Sequence, residues 1–162
     1  MPNIHISSSK YSAPSKLQGW QWLPFTDKVM ANVINRAVTL IDKRIKGVQS
    51  CEAAFKALPG GKTFADIWSQ PNVWISYDPD KSGSKYGVTL SRQHVSITAY
   101  ALAMGEWMAA ATLIHELAHV NGAPGNDTQA EDTLLKCLLK DHHNPNIIGQ
   151  IRNSKIKTIA FA

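Results

Sequence analysis

The sequence lacks any long apolar run, and it contains little cysteine. The longest apolar stretch, Trp107 to Ile114, is far shorter than the roughly 20 residues that a membrane-crossing helix needs, so we expect no membrane insertion. The two cysteines, Cys51 and Cys137, have no Cys-x-x-Cys spacing, which argues against a cysteine metal site and leaves open one disulfide or two buried thiols. The first twenty residues lack the apolar centre of a secretory signal.

The sequence also lacks a cluster of basic residues, and one long segment lacks basic residues altogether. The chain carries 17 Lys and Arg against 12 Asp and Glu, but the basic residues are scattered, so no nucleic-acid partner is expected. Residues 93 to 135 contain no Lys or Arg at all. The acidic residues of this stretch give it the composition to host a cation; they are Glu106, Glu116, Asp127, Glu131 and Asp132.

The length and composition predict one compact body. With 162 residues, 44% of them hydrophobic, the chain is long enough for a real core and short for two domains. Residues 1–24 are expected to form an N-terminal arm, docked by Trp20 and Trp22, and residues 25–162 a single domain.

The apolar periodicity predicts an α+β fold that is mainly helical, with a small sheet or hairpin beside one central helix. Helices are predicted from Thr26 to about Val48, from Ser50 to the turn at Pro59, from Glu106 to Val120, and from Thr128 to about Lys140. Strands are predicted at Asn72–Tyr77 and His94–Thr98, joined by an exposed hairpin loop.

The central helix contains the pattern H-E-x-x-H. His115 and His119 are four residues apart, so one helical turn directs both imidazoles toward a single metal ion, and Glu116 faces the open coordination position. Two surface histidines on an amphipathic helix are the alternative interpretation. The apolar surroundings of the motif, and the helix end and glycine-rich turn that follow it, favour zinc as the cofactor.

A catalytic zinc site usually has three protein ligands and one water. Glu131 is the predicted third ligand, because it shares a helical face with leucines and its buried carboxylate would need a partner. A capping box between Thr128 and Glu131 is the alternative that needs no metal. The rival ligands are Asp127, His142 and His143.

The spacing after the motif narrows the class of zinc enzyme. Gly125 stands where a metzincin would place its third histidine, so the pattern favours a zincin whose third ligand is a carboxylate on a following helix. In such a site Glu116 is the general base that takes a proton from the attacking water. Candidates for stabilising the oxyanion are Tyr86, Arg92, His94, His142 and His143. The strand His94–Thr98 is expected to pair edge-on with an extended peptide substrate.

The segments LIHELAHVNGAPGNDTQAEDTLLKC, FADIWSQPNVWISYDPD and HHNPNIIG resemble the zincin-like metallopeptidase toxin domains of bacterial type VI secretion effectors. Such domains often form the C-terminal extension of VgrG spike proteins. The resemblance covers roughly residues 50–150. It implies that His115, His119 and Glu131 bind zinc and that Glu116 is catalytic. The expected role is that of an antibacterial effector, with a protein or peptide substrate, an immunity protein and a secretion spike as partners.

This resemblance also implies a location. Export would follow a route that needs no signal peptide, with action in the periplasm of the target cell, where a bridge between Cys51 and Cys137 would persist; otherwise the protein is cytoplasmic. Two alternatives to a metallopeptidase stay open. One is a zinc amidase that cuts peptidoglycan cross-links with the same residues, and the other is a non-catalytic zincin that binds a partner.

Overall fold

The computed structural model describes residues 1–138 and 159–161. Within these residues the chain is an α+β protein with six helices and five strands. The helices are α1 (Lys28–Arg44), α2 (Gln49–Lys56), α3 (Phe64–Trp68), α4 (Ala99–Ala103), α5 (Glu106–Val120) and α6 (Gln129–Leu138). The strands are β1 (Asn3–Ile4), β2 (Trp74–Asp78), β3 (Gly87–Leu90), β4 (His94–Thr98) and β5 (Ile159–Phe161).

The five strands form one mixed sheet in the order β1-β2-β4-β3-β5. β1 is parallel to β2, and β2 is parallel to β4. β3 is antiparallel to β4 and parallel to β5. The tight turn from β3 to β4 places Ser91 and Arg92 in the left-handed region, with φ angles of 51° and 55°. Two consecutive residues of this kind are typical of a type I′ hairpin turn, which matches the twist of the strands.

The sheet corrects two predictions. The two predicted strands, now β2 and β4, do not form a hairpin, because they run parallel and β3 takes the antiparallel position beside β4. β4 also cannot bind a peptide at its edge, because β2 pairs with one edge and β3 with the other. The sequence prediction placed a loop between the two strands and no strand at Gly87–Leu90.

Helix α5 lies at the centre of the fold. It packs against β3 and β4 on the sheet and also against α1, α4 and α6. Every residue from Met108 to Val120 is buried, so the helix is surrounded by protein on all sides. The bounds of α5 agree with the predicted Glu106–Val120. The bounds of α1 agree less well with the prediction, since this helix ends at Arg44, four residues before the predicted Val48.

The N-terminal arm is held against the sheet. Trp20 and Trp22 are both 2% exposed and pack with Val88 of β3, which confirms their predicted docking. The Lys85 ammonium lies 4.1 Å from the centre of the Trp20 ring and 3.1 Å from a carboxylate oxygen of Asp78, which is almost fully buried. A cation that is shared between a ring face and a buried carboxylate fixes the arm to β2.

A disulfide and a hydrogen bond connect α2 with α6. Cys51 of α2 and Cys137 of α6 form a disulfide, and the Ser50 hydroxyl donates to the Lys136 carbonyl at 2.9 Å beside it. Together they fasten α6 to α2. Among the described helices, none has both the length and the apolar character that a membrane crossing needs.

Candidate metal centre

Helix α5 carries the three motif residues, and a glycine with a positive φ lies near each of its ends. Gly105 precedes the helix with a φ of 99°, and Gly122 follows it with a φ of 90°, a conformation that side chains other than hydrogen disfavour. Between these ends the sequence is rich in Ala and Leu, which favour helix. The helix presents His115, Glu116 and His119 inside the protein, where they are 0%, 0% and 4% exposed.

The two motif histidines converge on one point. Nε2 of His119 lies 3.1 Å from Nε2 of His115. Nδ1 of His119 lies 2.8 Å from the carbonyl oxygen of Ala123, which fixes the proton on Nδ1 and leaves the Nε2 lone pair directed at His115. This is the tautomer that a metal-binding histidine needs.

Burial keeps both imidazoles neutral. It lowers the pKa of His115 well below the ordinary value, and the charge of His119 lowers that pKa further. Burial also lowers the pKa of His119, although the Ala123 carbonyl and the charge of Asp127 oppose the shift. Neutral imidazoles whose Nε2 atoms converge form a suitable half of a metal site.

Glu116 is fully buried beneath β3. Its Oε2 accepts a hydrogen bond of 2.7 Å from the Thr89 hydroxyl, which also lies 3.0 Å from the Glu116 carbonyl oxygen. Its Oε1 has no hydrogen-bond partner among the described residues. Burial raises the pKa of Glu116 to about 8; the Thr89 bond opposes this shift and the charge of Glu131 adds to it.

Glu131 lies on α6, which packs against α5. Its Oε2 is buried and has no hydrogen-bond partner within the described part of the chain. Burial raises its pKa, and the charges of Asp132 and Asp127 add to the effect. The alternative capping box is not found among the described residues: the Thr128 hydroxyl donates to Asp132, and the first N–H of α6 donates to Asp127.

The predicted ligands are only partly brought together. Among residues 1–138 and 159–161, no three His, Cys, Asp or Glu side chains are grouped closely enough to hold a metal ion. The rival ligands His142 and His143 lie outside the described residues. The chemistry of the donors nevertheless fits zinc, because two neutral imidazoles converge and one buried oxygen each of Glu116 (Oε1) and Glu131 (Oε2) lacks a described hydrogen-bond donor.

The described candidates for the oxyanion role lie in different surroundings. The His94 ring is engaged by the N-terminal arm, since its Nδ1 lies 2.6 Å from the Tyr11 hydroxyl. Tyr86 is buried and its ring packs edge-on against Tyr100. Arg92 is exposed and lines a separate pocket near the end of α5. None of these three is placed against Glu116 by a hydrogen bond among the described residues.

Sequence reasoning missed the two β3 residues that contact the motif. Thr89 holds the Glu116 carboxylate, and Gly87 lies so close to it that a Cβ atom there would be 3.0 Å from Oε1. The alternation in GVTL was the available signal, but four residues beside a Gly- and Ser-rich segment are a weak strand pattern. The contact between the Ala123 carbonyl and His119 was not predictable either, because backbone acceptors carry no sequence signature.

Comparison with family models, with curated proteins and with solved structures finds no match to this chain. The site is therefore interpreted from its own geometry.

Proposed function

We propose that this protein is a zinc-dependent metallopeptidase with a zincin-like fold. The observation that carries the proposal is the 3.1 Å approach of the His115 and His119 Nε2 atoms on one buried helical turn. Two imidazole nitrogens that meet on one helical turn are also the donor pair that a zinc ion takes from a helix. The ligands would be His115, His119 and the Glu131 carboxylate, whose buried oxygen needs a positive partner.

The chemistry follows from the residues around this position. A bound zinc ion would lower the pKa of its water toward about 7 and would polarise a substrate carbonyl. Glu116 would act as the general base, taking up a proton at Oε1, the oxygen that no described hydrogen bond occupies. Thr89 would hold Oε2 and so orient the carboxylate toward the reacting group.

Metal content and hydrolysis test this proposal together. Wild type should hold about one zinc per chain by mass spectrometry, and His119→Ala and Glu131→Gln should lose most of it. Asp132→Asn is the matched control for Glu131→Gln, because it removes an exposed acid from the same turn of α6 and should keep the metal. A wild type that binds no zinc after reloading would contradict the proposal.

A second comparison tests catalysis. Glu116→Gln should keep the zinc and should hydrolyse peptides about 10²- to 10⁴-fold more slowly than wild type. Cleavage of peptidoglycan cross-links but not of peptides would favour an amidase. Zinc binding with no hydrolysis of either substrate would favour a binding module.

We further propose that the peptidase is an antibacterial effector delivered by type VI secretion. The motif segments that resemble those toxin domains support this, as does the disulfide, since disulfides persist in oxidising compartments such as the periplasm. Expression with a periplasmic targeting sequence should inhibit bacterial growth, whereas cytosolic expression and the periplasmic Glu116→Gln variant should not. Equal growth in all three cases would contradict the effector role.

A further inference from the structure

A second concavity lies at the C-terminal end of α5. It has a volume of about 340 Å³, within the range of small-ligand sites. Three segments that are distant in the sequence form it: residues 60–72, the turn of residues 91–93, and the helix end at Val120 and Asn121. Buried Val120 and Ile67 supply apolar surface, and polar side chains supply the rest.

The charges of this pocket have one sign. Lys62 and Arg92 contribute two positive charges, and none of the residues that line the pocket is acidic. Neither cation forms a salt bridge with a residue that the structure describes. Lys62 also lines an adjoining pocket together with Asp66, whose carboxylate accepts from the Thr63 N–H at 3.0 Å.

The polar side chains of the pocket are suited to an anion with oxygen acceptors. Amide groups stand beside the two cations, from Gln70, Asn72 and Gln93. Amide N–H₂ groups and a guanidinium all donate hydrogen bonds, and a planar guanidinium fits a carboxylate with two parallel bonds.

The framework of the pocket is held in place. Asn121 is 1% exposed, and its amide donates to the carbonyls of Phe55 and Lys62 at 2.8 Å each. The Asn121 carbonyl accepts from the Gly60 N–H at 2.8 Å, and a Cβ atom at Gly60 would overlap Asn121. The end of α5 is therefore fixed to the 60–62 turn, which keeps Lys62 at the pocket.

The position of the pocket relates it to the motif. Val120 follows Glu116 by four residues, so the two share one side of the helix and lie about 6 Å apart along its axis. β3 and the turn after it connect the same places, because Thr89 contacts Glu116 and Arg92 follows three residues later. An extended peptide advances roughly 3.3–3.6 Å per residue, so the rise along the helix axis equals about two residues of an extended peptide.

We propose that this pocket binds a carboxylate of the substrate, one or two residues from the bond that is cut. The inference rests on the proposed peptidase function and adds the class of substrate, which is a peptide that carries an acidic side chain or a free C-terminal carboxylate. Arg92 and Lys62 are the residues that recognise it.

Kinetics on matched peptides test the proposal. A fluorogenic series would place Glu or Gln at each position near the cleaved bond, and each peptide would be made with a free and with an amidated C-terminus. Wild type should prefer one acidic form by about 10- to 100-fold in kcat/KM, the range expected for charge-assisted hydrogen bonds. Comparing the two kinds of acid identifies the source of the carboxylate.

Variants assign that preference to the pocket. Arg92→Gln and Lys62→Gln should raise KM for the acidic peptide by about 10-fold or more and leave the neutral peptide unchanged, while Arg92→Lys should restore part of the preference. Arg44→Gln and Lys81→Gln are matched controls, because both remove an exposed cation elsewhere. Equal effects on acidic and neutral peptides, or no acidic preference in wild type, would overturn the proposal.

A binding measurement separates this proposal from the peptidase function. Calorimetry on the full-length Glu116→Gln protein would use glutarate as the probe and neutral glutaramide as its control, at matched ionic strength. Glutarate should bind, and Arg92→Gln added to this variant should abolish the binding, whether or not the protein hydrolyses peptides. An active peptidase that shows neither acidic preference nor glutarate binding would overturn the pocket assignment alone.

Discussion

The Thr89 hydroxyl of β3 contacts two acceptors of the same helical residue, the carboxylate oxygen Oε2 and the backbone carbonyl oxygen of Glu116. Both residues are buried, so water cannot replace this contact. The sheet therefore holds the central acidic residue of the motif directly, and the orientation of Glu116 depends on β3 as much as on its own helix.

Replacing Thr89 by Val tests this dependence. Valine keeps the shape but leaves the buried carboxylate without its described donor, so the free energy of unfolding should fall by about 1–3 kcal/mol. Thr89→Ser retains a hydroxyl and should lose less. Urea denaturation of the three proteins measures the difference, and a Val variant as stable as wild type would show that the bond contributes nothing.

The raised pKa of Glu116 predicts how the stability of metal-free protein depends on pH. The folded-state pKa is about 8 and the ordinary value is 4.5, so the folded state binds more protons between these values and loses stability as pH rises. Histidines with a lowered folded-state pKa act in the opposite sense near pH 6.5, because the unfolded state binds their protons. These histidines are His5, His94, His115 and His119.

The stability of wild type relative to Glu116→Gln should therefore fall between pH 6.5 and 8, by up to about 1.4 kcal/mol per pH unit. The histidine contributions are common to the two proteins and cancel in this comparison. The measurement is urea denaturation of both proteins, stripped of metal, at several pH values. A difference between the two proteins that rises over this interval would contradict the assigned shift.

The disulfide between Cys51 and Cys137 should stabilise the fold strongly, because it closes a loop of 86 residues. Removing it in the Cys51→Ala/Cys137→Ala variant should lower the free energy of unfolding by about 2–5 kcal/mol. Reduced wild type is the control, since it loses the bridge and keeps the sulfur atoms. Thiol labelling of denatured, unreduced wild type should find no free cysteine, and quantitative labelling would contradict the bridge.

The substitution Gly87→Ala tests how tightly β3 packs on the motif helix. A Cβ atom at this position would lie 2.9 Å from the Thr112 methyl carbon and 3.0 Å from Glu116 Oε1. Gly87→Ala should therefore destabilise the protein by about 1–3 kcal/mol through overpacking. Adding Thr112→Ser removes the methyl group and should restore part of the loss in thermal unfolding. A double variant no more stable than Gly87→Ala would show that Thr112 does not limit the space.

The predictability of each element follows from the range of the interactions that define it. Helix α5 was predicted from about Glu106 to Val120 because its composition and the Asn121-Gly122 end signal are local features of the sequence. The pairing of β2 with β4 was not predictable, because no local pattern distinguishes a parallel neighbour from a hairpin partner. Thr89 contacts Glu116 across 27 positions, and only the folded chain brings them together.

In the candidate site, too, the local relationship was predictable and the long-range one was not. The two histidines are related by one helical turn, so their spacing in the sequence was enough to predict that they converge. A third ligand must come from another element, and its position depends on how α6 packs against α5. The residue type and helical face of Glu131 were predictable, but its distance from the histidines was not.

The two outermost strands of the sheet have a consequence for folding. β1 pairs Asn3 with Trp74, and β5 pairs Val88 with Ile159, so each edge joins residues about 70 positions apart. Contacts of such high sequence separation form slowly, because a long loop must close first. During synthesis β1 and its partner β2 leave the ribosome before the motif helix does, whereas the outer edge of β3 must wait until residues 159–161 have left it.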